Sequence, residues 1–372
     1  MKLALDVSSV PERVAGAGRY IVELARRLPE TGLDTTLVTR VDDSARWLDV
    51  APHAHVVSLV PKNRPARLFH EAWRLGTSST AQDVDVWHSP HYSMAHRGST
   101  PTVVTIHDLT FFTNPEWHEK SKVVFFRRAI EYSSTHAKVL VCVSEFTARQ
   151  LDEFVPHHVP VIVAPLGVDL TRFSVDGTDD TAAMAHYSLP SHAPFVLFVG
   201  TVEPRKGLDV LLEAFAEVAD ANSDIELWIA GQDGWSMRGF SDDLRRHPAA
   251  ARIRRLGFVD DRLLPVLMRR ARVVAYPSRG EGFGLPVLEA LACGAMVVTS
   301  SDTVMAEVAG DAAQLVRAGD PVALAHEIVV GLDVSDVQRL ERSRLARARA
   351  DSFTWTRTLE QHLVAYDLAK GA

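Results

Sequence analysis

The chain has 372 residues, 47% of them hydrophobic and 23% charged, with a formal net charge of −7. At about 150 residues per domain this suggests two domains, each able to bury a full core, which excludes a disulfide-stapled mini-protein, a disordered activator and a collagen-like fibre. The mild acidic excess argues against nucleic acid as a partner, and no apolar run reaches the roughly 18 residues of a membrane span. The opening MKLALDVSSVPERV has too short an apolar core for a signal peptide, and Asp6 interrupts it. Cys142 and Cys293 both lie in apolar stretches and read as reduced core residues, which fits a cytoplasmic protein.

Strand-like runs fall at 2–7, 35–39, 55–60, 84–88, 102–107, 138–144 and 161–165. A second series falls at 195–200, 225–231, 253–258, 273–277 and 296–299. Several carry four or more consecutive apolar residues, which suits strands covered on both faces. Helical patterns lie between them at 17–28, 120–136, 208–221 and 320–332, and a closing helix runs from Trp355 to Leu368. Strands alternating with helices imply βαβ units and a parallel, doubly wound sheet. The polar stretch 169–194 lacks a strand pattern and reads as an interdomain connection with one short helix. The expected fold is α/β, with two Rossmann-like domains facing a cleft: residues 1–172, residues 190–352, and a closing helix over 353–372.

Two segments carry chemistry. The first is Arg279-Gly-Glu-Gly-Phe-Gly-Leu-Pro-Val-Leu-Glu289, after a strand and opening a helix near Leu285. Its glycines let the backbone approach a ligand, and the helix start offers free N–H groups and a positive dipole end, a combination suited to phosphate. Glu281 in the loop and Glu289 one turn into the helix could accept from hydroxyls of one ligand; alternatively both are solvated beside a Gly-rich turn. The second segment is Phe198-Val-Gly-Thr-Val-Glu-Pro-Arg-Lys-Gly207 at a strand-to-helix turn. Arg205 and Lys206 there suit a diphosphate, with the Arg fork bidentate and Lys a point charge, or they form a solvated basic turn.

In this order, these segments resemble the retaining glycosyltransferases of the two-Rossmann-domain (GT-B) fold, family four, the group-1 type. Ala15-Gly-Ala-Gly-Arg-Tyr20, Ile106-His-Asp-Leu109, Val143-Ser-Glu-Phe146, Pro165-Leu-Gly-Val-Asp169, Ala290-Leu-Ala-Cys-Gly294 and Gly310-Asp-Ala-Ala313 extend the resemblance over nearly the whole chain. It implies a nucleotide-sugar donor in the C-terminal domain, a glycan or lipid-linked acceptor in the N-terminal domain, and a last helix crossing back to the N-terminal domain. Arg205 and Lys206 would hold the diphosphate and Glu289 the ribose. Glu281 and the backbone of Gly282, Phe283, Gly284 and Leu285 would hold the transferred sugar. Phe258 and Val259 would lie near the base, Gly16 and Gly18 would approach the donor from the other domain, and His107 would position the sugar or acceptor. No metal and no cofactor are implied, because Arg, Lys and the helix dipole neutralise the leaving group. Asp108 reads as a turn or cap carboxylate rather than a nucleophile.

The sequence departs from the family pattern in its first loop, where Ala15-Gly-Ala-Gly18 is poorer in glycine, and in lacking Pro after Gly294 and before Glu307. Pro115-Glu-Trp-His118 is similar to a segment of relatives using mannose-type donors, which favours GDP-mannose over a UDP- or dTDP-sugar. A nucleotide-sugar epimerase of similar fold and a silent binding protein are the rivals. Trp87-His-Ser-Pro-His91 has too few ligands nearby for zinc and reads as polar residues at a strand end. Lys120-Ser-Lys-Val-Val-Phe-Phe-Arg-Arg128 admits two readings: a helix on an anionic membrane surface, giving peripheral contact, or an amphipathic helix burying its Phe residues. The basic segments 64–75 and 339–349 read as mostly solvated helix faces.

Overall fold

The computed structural model describes residues 1–371 except Arg13, Ala15, Ser191, His192 and residues 235–243, so one residue of the first Gly-rich loop lies outside it. The chain divides into two compact units: Met1–Gly167 together with the segment from Trp355 onward, and Val168–Thr354. Each is built on a wholly parallel sheet.

The first sheet contains β1 (Lys2–Asp6), β2 (Asp34–Arg40), β3 (His55–Val60), β4 (Val86–Ser89), β5 (Thr102–Ile106), β6 (Val139–Cys142) and β7 (Val161–Val163). Their order is β3-β2-β1-β4-β5-β6-β7, and Leu5 pairs with Leu37 on one side and His88 on the other. The second contains β8 (Phe195–Val199), β9 (Glu226–Ala230), β10 (Ile253–Gly257), β11 (Val273–Tyr276), β12 (Val297–Ser300) and β13 (Gln314–Val316), ordered β10-β9-β8-β11-β12-β13. These are two Rossmann-like α/β units, as the alternation of strand and helix patterns implied. Strands such as β6, β8, β11 and β12 are buried along their whole length, which is why they read as unbroken apolar runs. Phe195 stacks on Trp228 across β8 and β9 with ring centroids 4.0 Å apart. Burying side chains of this size contributes about 2–3 kcal/mol each.

Helix starts follow local chemistry. Asp320 accepts from the Ala323 N–H at 2.9 Å ahead of Pro321, and Ser335 with Gln338 forms a reciprocal capping box. β13 was not anticipated: three residues are too few to show a strand pattern. The segment 169–194 is not a free connection. It belongs to the second unit, where Arg269 clamps Asp180 (Nη2 to Oδ1, 2.6 Å) and the carbonyl of Ser174, and where Phe173 and Met184 are buried. Its short helix spans Asp180–His186. The helix Lys120–His136 buries Ile130 and packs Phe126 on the core while Val124 and Phe125 stay exposed. No helix among the described residues is long and apolar enough to cross a membrane.

The last helix, Trp355–Gly371, lies on the first sheet and is tied to it by a buried hydrogen-bond chain. His362 Nδ1 contacts the Thr358 carbonyl at 2.7 Å, which can only accept, so Nδ1 carries the proton and Nε2 accepts from Tyr20 OH at 2.6 Å. Tyr20 OH then accepts from Thr105 Oγ1, Thr105 accepts from His88 Nε2, and His88 Nδ1 accepts from Tyr366 OH, each at 2.8 Å. Every member is satisfied with both imidazoles neutral. Burial pushes His362 down to about 4 and holds His88 well below its ordinary value.

A base whose folded pKa is depressed binds fewer protons folded than unfolded. Its stabilising effect is complete above about pH 6.5 and declines as pH falls toward the folded value. Asp6 and Glu71 shift upward through burial and oppose this, but buried His88, His91, His107 and His362 outnumber them. Melting temperature should therefore fall between pH 6.5 and 5, each histidine contributing up to about 1.4 kcal/mol per pH unit. His362→Gln should flatten the slope. A melting temperature independent of pH over this range, or an unchanged slope in the variant, contradicts the buried neutral chain.

Candidate functional site: the carboxyl edge between β8 and β11

In the second sheet the chain leaves β8 toward β9 on one side and returns to β11 on the other. That reversal opens a crevice at the carboxyl ends of β8 and β11, the place where open parallel sheets bind ligands. β8 leads through Gly200 into the turn Pro204–Lys206, and β11 leads through Pro277 into the loop before helix Leu285–Ala292. The two turns touch. Gly207 has φ +69°, and a Cβ there would lie 2.0 Å from the Pro277 carbonyl oxygen, so only glycine fits. Gly284, at φ +97°, caps the start of Leu285–Ala292, where the Leu285 N–H has no intrahelical partner and Pro286 contributes no N–H.

The approach of the turns assembles an ion cluster. Arg205 donates through Nη1 to Glu281 Oε2 at 2.7 Å and to the Gly280 carbonyl at 3.1 Å, and through Nε to Glu203 at 2.9 Å. Lys206 pairs with Glu281 Oε1 and donates to Tyr276 OH at 2.8 Å, and Tyr276 OH donates on to Glu281 Oε1 at 2.9 Å. Lys206 is 9% exposed. Ser278 Oγ and the Arg279 N–H both donate to the Arg205 carbonyl, at 3.1 and 2.7 Å. The Arg279 guanidinium clamps Asp209 and the Pro204 carbonyl. Burial alone would raise the Glu281 carboxyl, but Arg205 and Lys206 override it and hold it at about 2. Burial draws the Lys206 ammonium below its ordinary range, against the pull of Glu281. Burial also pushes the Tyr276 phenol well up, so it stays a neutral donor. Two preorganised cations beside a helix N-terminus can take the charge of a diphosphate.

Arg205, Lys206 and Glu281 are thus brought together, with Gly282, Phe283, Gly284 and Leu285 buried beside them. Glu289 lies one turn into the helix and is 7% exposed. Phe258 and Val259 follow the end of β10 on the same edge of the sheet, and Phe258 is 57% exposed. Gly16, Gly18 and His107 belong to the first unit. Gly16 is exposed at φ +50° at the start of helix Ala17–Arg27, and Gly18 is buried in its first turn against Val10 and Val14. His107 is 7% exposed at the end of β5; its Nε2 donates to the Pro90 carbonyl at 2.8 Å, which leaves Nδ1 an acceptor. Asp108 accepts from Thr110 N and Oγ1, a turn carboxylate as anticipated.

The sequence reading passed over Glu203, Tyr276, Ser278 and Arg279. Tyr276 could have been found as the last residue of a strand that ends at the crevice; the others show no local signal. In the segment 64–75, read as mostly solvated, Arg67 and Glu71, four residues apart on helix Arg64–Trp73, form a half-buried pair at 3.3 Å.

Glu281→Gln removes the carboxylate that balances a buried ammonium. Breaking such a pair costs about 3 kcal/mol or more. The variant should melt several degrees below wild type and regain much of the loss in millimolar pyrophosphate, which offers Lys206 and Arg205 a new anion. Equal melting of variant and wild type without anion would show that the cluster is not buried in this way.

Two family models cover the chain: Glycosyltransferase Family 4 matches residues 14–172, and Glycosyl transferases group 1 matches residues 193–333. The O-antigen chain mannosyltransferase B of Escherichia coli is 28% identical over 99% of this chain and 100% of its own length. A D-inositol 3-phosphate glycosyltransferase of Geodermatophilus obscurus is 30% identical over 97% of this chain and 90% of its own. Among solved structures, the sucrose-phosphate synthase of Thermosynechococcus elongatus superposes with a TM-score of 0.79 at 20% identity, covering 100% of both chains. The motifs, the paired sheets and the relatives agree: the chain belongs to the glycosyltransferases of family 4, group 1, and is a glycosyltransferase of the GT-B type.

Proposed function

We propose that the protein is a retaining, metal-independent hexosyltransferase that moves mannose from GDP-mannose to a glycan or lipid-linked acceptor. The observation that carries this is the Arg205–Lys206–Glu281 cluster at the β8/β11 crevice, beside the N-terminus of Leu285–Ala292. On this reading the second unit binds the donor. The diphosphate lies on Arg205, Lys206 and the amides at Gly284 and Leu285; Glu289 accepts from the ribose hydroxyls. The base lies near Phe258 and Val259, whose main chain receives it. The full-length similarity to an O-antigen chain mannosyltransferase supports mannose as the sugar.

In the transfer, the bond from the sugar anomeric carbon to the diphosphate oxygen breaks and a bond to the acceptor oxygen forms on the same face. The acceptor hydroxyl proton passes to the departing phosphate oxygen, so no side chain serves as base. Negative charge grows on the leaving diphosphate, and Arg205 and Lys206 stabilise it from fixed positions. An incoming diphosphate competes with Glu281 for both cations. Once displaced, the Glu281 carboxylate, ionised at any neutral pH, becomes an acceptor for the hydroxyls of the transferred sugar. His107, neutral through burial, offers Nδ1 to a sugar or acceptor hydroxyl.

The test is transfer from GDP-mannose, UDP-glucose and dTDP-glucose to mannosylated glycans, with chelator present and product anomers read by NMR. The expected product forms from GDP-mannose alone, keeps the α configuration and is unaffected by chelator. Glu289→Ala should raise the donor KM at least tenfold through the lost ribose contacts. Transfer from a UDP- or dTDP-sugar instead overturns the donor, an inverted anomer overturns retention, and interconversion of the donor without transfer identifies an epimerase.

A further inference from the structure

The imidazole of His107, at the end of β5, is gripped by side chains that the proposed transfer does not use. Its Nε2 donates to the Pro90 carbonyl at 2.8 Å, and its Nδ1 has no hydrogen-bond partner among the described residues. The ring of Tyr20, on helix Ala17–Arg27, meets it nearly edge-on, with centroids 5.2 Å apart and planes at 80°. Tyr92 does the same at 5.6 Å and 76°. Edge-to-face contacts of this kind favour one orientation of a ring over the others. Both tyrosines are fixed in turn. Tyr20 is fully buried, and its hydroxyl is held at two points, by His362 Nε2 at 2.6 Å and by Thr105 Oγ1 at 2.8 Å. Tyr92 has φ +61°, a left-handed conformation uncommon for a bulky residue. Its N–H donates to the Thr105 carbonyl and its carbonyl accepts from the Ser133 hydroxyl, each at 2.9 Å. Strain of this kind persists only where the surroundings impose it, and it collects at functional sites. Thr105 thus bonds both tyrosines, and it stands two residues before His107 on the same strand end.

We infer that Tyr20, Tyr92 and, on the closing helix, His362 are positioning residues for the transfer: they act through His107, fixing its ring so that Nδ1 is presented to a substrate hydroxyl. The inference rests on the role proposed for His107 and extends it to residues as distant in the chain as His362. Packing alone does not require this arrangement. Phenylalanine at position 20 and an aliphatic side chain at 362 would fill the same space without burying polar groups, whereas a satisfied polar network demands one geometry of its members. The geometry matters because only one ring nitrogen of a neutral imidazole accepts. With Nε2–H held by Pro90, that nitrogen is Nδ1, and a ring that turned would carry its lone pair away from the substrate. Burial lowers His88, His107 and His362 together, and a charge on His107 would weigh against a charge on either of the others, so Nδ1 keeps its lone pair at neutral pH.

The test compares full-length wild type with Tyr20→Phe, His362→Leu and His362→Gln, each alone and combined with His107→Ala, with rates taken per folded protein. Tyr20→Phe keeps the ring and loses the hydroxyl that fixes it. His362→Leu removes the acceptor for that hydroxyl, and His362→Gln restores an acceptor for Tyr20 with a donor for the Thr358 carbonyl. In transfer assays, kcat should fall about fivefold or more in Tyr20→Phe and His362→Leu, with donor KM within about twofold of wild type. His362→Gln should recover most of the lost kcat. In the His107→Ala background the same substitutions should cost nothing further. Nitrogen-15 NMR of the histidine rings should show His107 as one sharp Nε2–H tautomer in wild type and as an exchange-broadened signal in Tyr20→Phe. Unchanged kcat in both Tyr20→Phe and His362→Leu, losses that persist undiminished after His107→Ala, or a His107 signal unaltered by Tyr20→Phe would overturn the inference. A wild type that transfers from no nucleotide-sugar, while Tyr20→Phe still loosens the His107 ring, would instead overturn the functional reading and leave the hold on His107 standing.

Discussion

The ion cluster of Arg205, Lys206 and Glu281 is the constraint around which the second unit is arranged. Placing an ammonium and a carboxylate out of water costs several kcal/mol per ion, and an apolar pair of similar volume would usually pack there at no such cost. The fold nonetheless gives much of its local structure to holding these charges. Gly207 lets the two turns meet, Ser278 and the Arg279 N–H hold the Arg205 carbonyl, and the Arg279 guanidinium ties the β11 turn to Asp209 on the following helix. Tyr276 bridges the ammonium and the carboxylate. Glu281 keeps two cations assembled in the absence of an anion, which is the preorganisation that charge stabilisation in a transition state requires.

The two switch points of the molecule are built from contrasting chemistry. At β8/β11 cations and a helix N-terminus face the crevice, a setting for an anion. At β1/β4 two cavities are lined by the carboxyls of Asp6 and Glu71 and by helix residues both apolar and charged, among them Leu68, Phe125, Arg67 and Lys122. The last helix completes the first unit through the chain that runs from Tyr366 to Thr358, so the neutrality of His88 and His362 supports the first sheet.

Much of the fold could be read from the sequence because parallel strands buried on both faces, such as β6, β8, β11 and β12, leave continuous apolar runs; of the other strands β10, Ile-Arg-Arg-Leu-Gly, is partly exposed and shows only a weaker pattern. β13, with three residues, shows none. Arg205, Lys206 and Glu281 were legible as charged residues in turns at strand ends. Their mutual pairing was not, because it depends on β8 lying beside β11 rather than on any spacing along the chain. Asp6, Glu71 and Ser89 of the β1/β4 cavities come from three separate elements, and each taken singly looks ordinary: an acid at a strand end, a glutamate on a basic helix, a serine before proline. The histidine chain links residues as far apart as Tyr20 and His362, a separation no local pattern can signal.

The central claim is that the cluster is a diphosphate site, and the most direct measurement is calorimetric titration of GDP into the wild-type protein and into Lys206→Ala. The account predicts micromolar binding by the wild type, without added metal, and a loss of tenfold or more in the variant, about 1.4 kcal/mol or greater. Equal affinity in both proteins would contradict it, since the diphosphate would then be held somewhere other than on these cations.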